Sequence, residues 1–385
     1  MTEPDPPGRL PRYDFVVIPM LVVLTLVLLA GAGEALSRQF YVESGKESCS
    51  ATGARGEMVM KPDCTSYRQA AEGPPTSSVY NDCGYRTAEP CGTRPPNGIR
   101  VALMGASTAH GFKVRYEDTF GARLTRSMSE NCHRPVEFQN MGVGGATLLD
   151  IYRRLPDALA MKPDLIMLVV TPYDMRNQIS DADMADRNEP AKKPFNPVAG
   201  KPPGPKSLIT ILSDLAYESR MLVVAQHFLF QHRPTFVRLF LLHGEEVDYL
   251  RPPMGPGWQR RIDNLDTIVG DMADRAHAAG VPMMLVETPQ RIQVSLLDPT
   301  VRQPGQDPWA IGRELAKMSA KHGVFFDDTL DAFAEEPDSD EAFYNVDGHI
   351  DGRGHGLAAR SIERALKRDV GVFQSCQSAV NAGRS

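Results

Sequence analysis

The chain has 385 residues, 42% of them hydrophobic and 23% charged, an ordinary globular composition with room for one large domain or two modest ones. Its formal net charge is -6, and no long basic block offsets that balance, so nucleic acid and other polyanions are not expected partners. In chain order, the first feature is "FVVIPMLVVLTLVLLAGA" from Phe15 to Ala32, a run without a charge that is long enough to cross a bilayer. It is apolar all round, whereas a core helix alternates apolar and polar faces. A cleaved signal peptide is the alternative, since "AGAGEA" offers small residues to a peptidase, but such apolar regions usually run only ~7–15 residues. Arg9 and Arg12 place a cytoplasmic tail at residues 1–12, an anchor at 13–36, and everything later outside the cytoplasm.

Residues 37–97 are rich in turn formers and lack long periodic runs, which suggests a collar or stalk. Cys49, Cys64, Cys83 and Cys91 fall in this segment and read as two disulfides of an exported chain. A zinc site is the weaker reading, because no CxxC pair and no histidine accompany them. Cys132 and Cys376 either pair with each other or stay reduced.

From residue 98 the pattern becomes strand then helix, repeated. Strands are expected at 99–105, 136–140, 165–171, 281–287 and 324–330, with helices at 118–131, 147–160, 258–279, 308–322 and 353–369. Strands alternating with helices imply right-handed crossovers and a parallel sheet of five strands between helical layers. This α/β domain spans 98–372, leaving a C-terminal tail at 373–385. An insertion at about 180–257 interrupts it. It opens with the proline-rich loop 188–206 and continues through 207–244 as one or two helices with wide apolar faces, expected on the sheet edge or against a membrane or partner surface.

In an open parallel sheet, ligands sit beyond the carboxyl ends of the strands. Four strand-end loops carry chemistry. "GAST" places Ser107 where a following helix directs free amides at an oxyanion. "NMGVGGAT" (140–147) lets the backbone approach a ligand closely. "TPYDMRN" (171–177) supplies Tyr173, Asp174 and Asn177. "NVDGHIDGRGHG" (345–356) sets Asp347 and His349 together. A serine becomes nucleophilic once a base takes its proton, and a histidine base needs a carboxylate to hold its tautomer. The cluster of Asp347, His349, Asp351 and His355 also admits a metal reading, disfavoured because so glycine-rich a loop seldom holds ligands rigidly.

Over about residues 98–370 these blocks resemble the SGNH or GDSL hydrolases. Gly105-Ala106-Ser107 stands for the first block, Asn140 to Gly145 for Asn-x-Gly-x-x-Gly, and Asp347 and His349 for the last. "VYNDCGYRTAEP" (79–90) looks like the lead-in common in membrane-anchored members. The resemblance implies a flavodoxin-like three-layer fold and a triad of nucleophile Ser107, base His349 and orienting Asp347. It also implies an oxyanion hole of the Ser107 and Gly145 amides, with no cofactor and no metal. The family's third block usually adds an asparagine side chain. Here Tyr173 stands in its place as the candidate third donor, its hydroxyl reaching the oxyanion from a different direction; the loss of one oxyanion donor typically costs ~2.7–4 kcal/mol. Asp174 and the nearby Asn177 are expected to meet substrate.

Three functions are then in view. The first is a serine esterase held in a bacterial inner membrane and facing the periplasm, removing acyl groups, above all acetyl, from a carbohydrate. The second is an O-acyltransferase using the same triad on an exported polysaccharide. The third is a carbohydrate-binding or assembly protein without chemistry. Polysaccharide-assembly proteins are possible partners alongside the membrane itself.

Overall fold

The computed structural model describes residues 13–40, 44–46, 48–176, 179–193 and 219–376. Five strands, β1 (Ile99–Gly105), β2 (Val136–Asn140), β3 (Leu165–Val170), β4 (Met283–Glu287) and β5 (Phe325–Asp328), pair in parallel. Their spatial order is β5-β4-β3-β1-β2, the flavodoxin-like winding, whose order reverses between β1 and β3. The strand expected at 324–330 stops at Asp328, because Leu330–Ala334 is already helical.

The helices used below are α1 (Asp14–Phe40), α2 (Ser107–His110), α3 (Phe120–Cys132), α4 (Arg220–Gln231), α5 (Arg233–Phe240), α6 (Pro256–Ala278), α7 (Ala310–Lys321) and α8 (Gly352–Asp369). The helix expected at 147–160 divides into Leu148–Arg153 and Leu155–Ala160. Pro156 has no N–H to continue the first helix, so a new one starts around it.

β1, β3 and β4 are buried along their whole length, as expected for strands covered on both faces. The two-residue period divides their side chains between two cores. Ala102, Met104, Ile166, Leu168, Met283 and Leu285 pack in the layer that holds α6 and α7. Val101, Leu103, Met167, Val169, Met284 and Val286 pack in the layer that holds α3 and α8. Thr119 caps α3 by accepting from the Ala122 amide, and Asp351 caps α8 by accepting from the Arg353 and Gly354 amides.

All six cysteines are paired, as Cys49–Cys64, Cys83–Cys91 and Cys132–Cys376. The last ties the end of α3 to the chain beyond α8. The segment 48–97 packs on the hydrolase body and does not stand off as a stalk: its Arg86 amide meets the Asn140 carbonyl at the carboxyl end of β2, and its Cys91 and Thr93 carbonyls meet Arg100 near the amino end of β1. Its Tyr80 and Arg86 are buried there.

α1 has 27 residues, none of them buried. At 1.5 Å per residue it is about 40 Å long, more than a hydrocarbon core of about 30 Å. Just past its apolar run, Glu34 accepts from the Ser219 hydroxyl (2.8 Å) and from the amides of Arg220 (3.1 Å) and Met221 (3.0 Å), capping α4. The insertion therefore divides in its behaviour. α5 buries Phe236 and Val237 in the core. α4 has no fully buried residue and leaves Leu222, Phe228 and Leu229 exposed. Residues 207–218, read as its helical beginning, lie outside the described residues.

At the end of β4, Glu287 is completely buried. Burial, and then the neighbouring Asp328 carboxylate, push its pKa well above the usual carboxylate range. In the unfolded chain the same group ionises near the ordinary value of ~4.3, so the fold loses stability as pH rises above it. Glu287→Gln is expected to raise Tm by a few degrees near about pH 8 and hardly at all near about pH 4. Calorimetry at the two pH values checks this; an equal change at both would contradict it.

Candidate active site

β1 ends in Gly105, and only glycine is accommodated there. A Cβ at this position would lie 2.5 Å from the Ala109 Cβ and 2.8 Å from the Val169 carbonyl oxygen. The chain can therefore turn straight from the strand into α2, whose first residue is Ser107. The loop after β2 is seated on the same helix. Asn140, buried, donates through Nδ2 to the Ala109 carbonyl (2.8 Å) and accepts through Oδ1 from the Gly142 amide (2.9 Å). Gly142 passes so close to α2 that a Cβ would come within 2.4 Å of the His110 nitrogen. Gly145 follows, with φ of 88°, in the left-handed region that glycine favours. Among the described residues, the amides of Ser107 and Gly145 meet no backbone or side-chain acceptor. Both remain available to an anionic oxygen.

The last loop brings its two residues to Ser107. His349 Nε2 lies 2.7 Å from Ser107 Oγ, and His349 Nδ1 lies 2.5 Å from Asp347 Oδ1. With the proton on Nδ1 donated to Asp347, Nε2 is the acceptor for the serine hydroxyl. Burial pushes the Asp347 carboxyl up, but the His349 hydrogen bond and charge, with Lys113, hold it well below the usual carboxylate range. It stays ionised and orients the ring.

Lys113, which no motif singled out, donates to Asp347 Oδ2 (2.8 Å), the oxygen that His349 leaves open. The adjacent Phe112 ring sits 5.1 Å from the His349 ring, and the Arg68 guanidinium of the collar lies 4.9 Å from the Phe112 ring centre. Two further collar residues hold α2. Arg86 donates to the carbonyls of His110 (2.8 Å), Gly111 (2.6 Å) and Val114 (2.7 Å), and Tyr80 shares a 2.9 Å hydrogen bond with His110 Nε2. Both belong to the 79–90 lead-in, the only sequence signal that pointed at them. Burial drives His110 far below the ordinary histidine range, so it is a neutral partner.

The remaining members of the last loop serve the fold. His355, buried and pushed down to about 3 by burial, accepts from the Phe120 amide at Nδ1 (3.2 Å). Asp351 is the α8 cap.

The third block differs most from expectation. Asp174 caps the short helix Pro172–Met175 by accepting from the Thr171 amide (2.8 Å) and hydroxyl (3.0 Å). Burial raises its pKa to about 6. Tyr173 is 50% exposed, with its ring under the Arg176 guanidinium at 4.4 Å and its hydroxyl accepting from Arg176 Nη2 at 3.3 Å. That hydroxyl accepts at the exposed rim, and its own proton is not used by any partner among the described residues. Asn177 lies outside the described residues. Ser107, Gly145, Tyr173, Asp174 and His349 all line one cleft of about 580 Å³, with Arg68, Phe112, Thr147 and Asp183 around them.

The winding and this cleft are those of an α/β/α serine hydrolase acting on ester bonds. The chain belongs to the GDSL-like lipase/acylhydrolase family, whose model matches residues 103–357. Among solved structures, it is similar to an acetylxylan esterase from Geobacillus stearothermophilus at 16% identity and a TM-score of 0.38, covering 70% of this chain and 94% of that one. A lipase/acylhydrolase from Enterococcus faecalis gives 16% identity and a TM-score of 0.37, over 70% and 95%. A lipolytic G-D-S-L family member from Veillonella parvula gives 12% and 0.39, over 70% and 99%. No curated protein matches.

If the Tyr173 hydroxyl donated to the oxyanion, its loss would lower kcat by about 10²–10³-fold. Because the ring is half exposed at the rim and stacked against Arg176, Tyr173→Phe is expected to keep kcat toward a chromogenic acetate ester within about threefold. Steady-state kinetics check this.

Proposed function

We propose that this protein is a serine esterase that removes acyl groups, above all acetyl, from a carbohydrate outside the cytoplasmic membrane. The observation that carries the reading is the unbroken line from Asp347 through His349 to Ser107, opening on a cleft beside the unengaged amides of Ser107 and Gly145. In the proposed reaction, Ser107 Oγ attacks the ester carbonyl carbon while His349 Nε2 takes the hydroxyl proton. The two amides hold the tetrahedral oxyanion. Its collapse breaks the bond to the leaving alcohol, to which His349 returns the proton, and water repeats the sequence on the acyl-serine.

The cleft is in the size range of small-ligand sites, with Arg68, Thr147, Tyr173 and Asp183 to meet the hydroxyls of a carbohydrate and Phe112, Leu148, Leu149 and Ile179 to meet the acyl group. Ser107 is half-buried in the wall of this cleft, where water can reach it as acceptor. Location is inferred from α1 together with the three disulfides, which belong to an oxidising compartment such as the periplasm.

Ser107→Ala and His349→Ala are each expected to lower release of acetate from a chromogenic ester by about 10³-fold or more. The same assay with an acetylated or an acceptor polysaccharide separates the alternatives. Acylation of the acceptor with little hydrolysis means transfer, and glycan binding without turnover means a binding protein. Turnover unchanged in Ser107→Ala would overturn the triad. For the anchor, the full chain is expected to stay with carbonate-washed membranes, and the chain lacking residues 1–36 to leave them.

A further inference from the structure

The loop that presents Asp347 is held from outside the hydrolase fold. Glu72 lies at the tip of the collar hairpin between the strands Thr65–Gln69 and Thr76–Val79, and its side chain is only 5% exposed. Its Oε2 accepts from the amides of Val346 (3.1 Å) and Asp347 (3.0 Å), and Oε1 meets the Val346 amide at 3.2 Å. Oε1 also pairs with His227 Nδ1 of α4 at 2.8 Å. Next to it, Gly73, at φ of 90°, lets the hairpin tip press on the loop's Tyr344 ring, since a Cβ there would lie 2.9 Å from that ring. A second tie runs in parallel. Arg291 donates to the carbonyls of Asn345 (3.2 Å) and of Phe230 in α4 (2.7 Å).

We propose that Glu72 is a positioning residue for the reaction, fixing Asp347 through the main chain of residues 346–347 and bracing that loop against α4. This rests on the Ser107-His349-Asp347 reading. The loop needs such a hold. Its own backbone closure is short: a Phe343–Ile350 bridge, with the Tyr344 amide on the His349 carbonyl, the Asp351 amide on the Ala342 carbonyl and the Gly348 amide on the Tyr344 carbonyl, leaves the amides of Val346 and Asp347 to Glu72. A shift of Asp347 turns the imidazole, and small misplacements of a reacting group cost rate while leaving substrate binding intact. Glu72 itself touches neither Ser107 nor His349.

The test uses the full chain with a chromogenic acetate ester. Glu72→Ala is expected to lower kcat by about 10- to 100-fold with KM within about twofold. Glu72→Gln is expected to recover kcat to within about threefold of the natural enzyme, because its carbonyl oxygen can accept from both loop amides while its NH₂ group faces His227. Glu72→Asp keeps the charge but retracts it by one methylene, and is expected to fall between the two even if the alanine variant folds poorly. A kcat within threefold in both Glu72→Ala and Glu72→Asp would overturn the proposal, as would a rise in KM alone or a glutamine variant as impaired as alanine. Ser107→Ala, assayed alongside, tests the triad separately: if that variant keeps its activity, the triad reading fails whatever the Glu72 series shows.

Discussion

Parallel pairing of β1 with both β2 and β3 is the constraint on which the site depends. In a parallel sheet every strand delivers its following loop to the same end, so the residues after β1, β2 and β3 arrive together without any contact between their loops having to steer them. The order reverses between β1 and β3, and the crevice opens there. Gly105 and Gly142 allow the close packing that this geometry demands, one against α2 and Val169, the other against the His110 amide. The site is thus a consequence of backbone approach distances before it is one of side-chain chemistry.

A four-residue helix is a weak platform for a nucleophile, because its carbonyls have no continuing helix to bond to. The collar supplies what α2 lacks. Arg86 takes three carbonyls at and beyond the end of the helix, and Tyr80 meets His110 on its flank. The same small, disulfide-held segment carries Arg68 to the cleft wall and Glu72 to the Asp347 loop. A region too poor in apolar residues to form its own large core finds its stability against the hydrolase body, and in doing so completes the site.

The apolar N-terminal helix connects to this arrangement through α4. Glu34 caps that helix, and His227 and Phe230, further along it, meet Glu72 and Arg291. The insertion is therefore a spacer with contacts at both ends, which explains why its two helices behave differently. α5 has the core to bury into, whereas α4 spans the gap between α1 and the hydrolase body with an apolar face still exposed.

Much of the fold and the center of the site were legible in the residues. Uninterrupted apolar runs of four to seven residues mark strands buried on both faces, and the helices between them carry their own periodicity and caps, so local pattern dictates the α/β winding. Ser107, Asn140 to Gly145, and Asp347 with His349 stand at strand ends in a fixed order, and strand ends share one rim. Other features lay beyond any local pattern. Spacing alone leaves the pairing of Cys49, Cys64, Cys83 and Cys91 open, and only the folded collar joins 49 to 64 and 83 to 91. Tyr173 occupies its motif position as expected, but its hydroxyl answers to Arg176 because the exposed rim brings that guanidinium over the ring. Lys113 and Glu72 reach the Asp347 loop across 234 and 275 residues of chain. The sequence by itself determined the sheet and placed Ser107, Asp347 and His349 at its strand ends, since both depend on short-range periodicity and strand-end position. The tertiary structure alone decided what holds and tunes them, because those partners meet only once distant segments have packed.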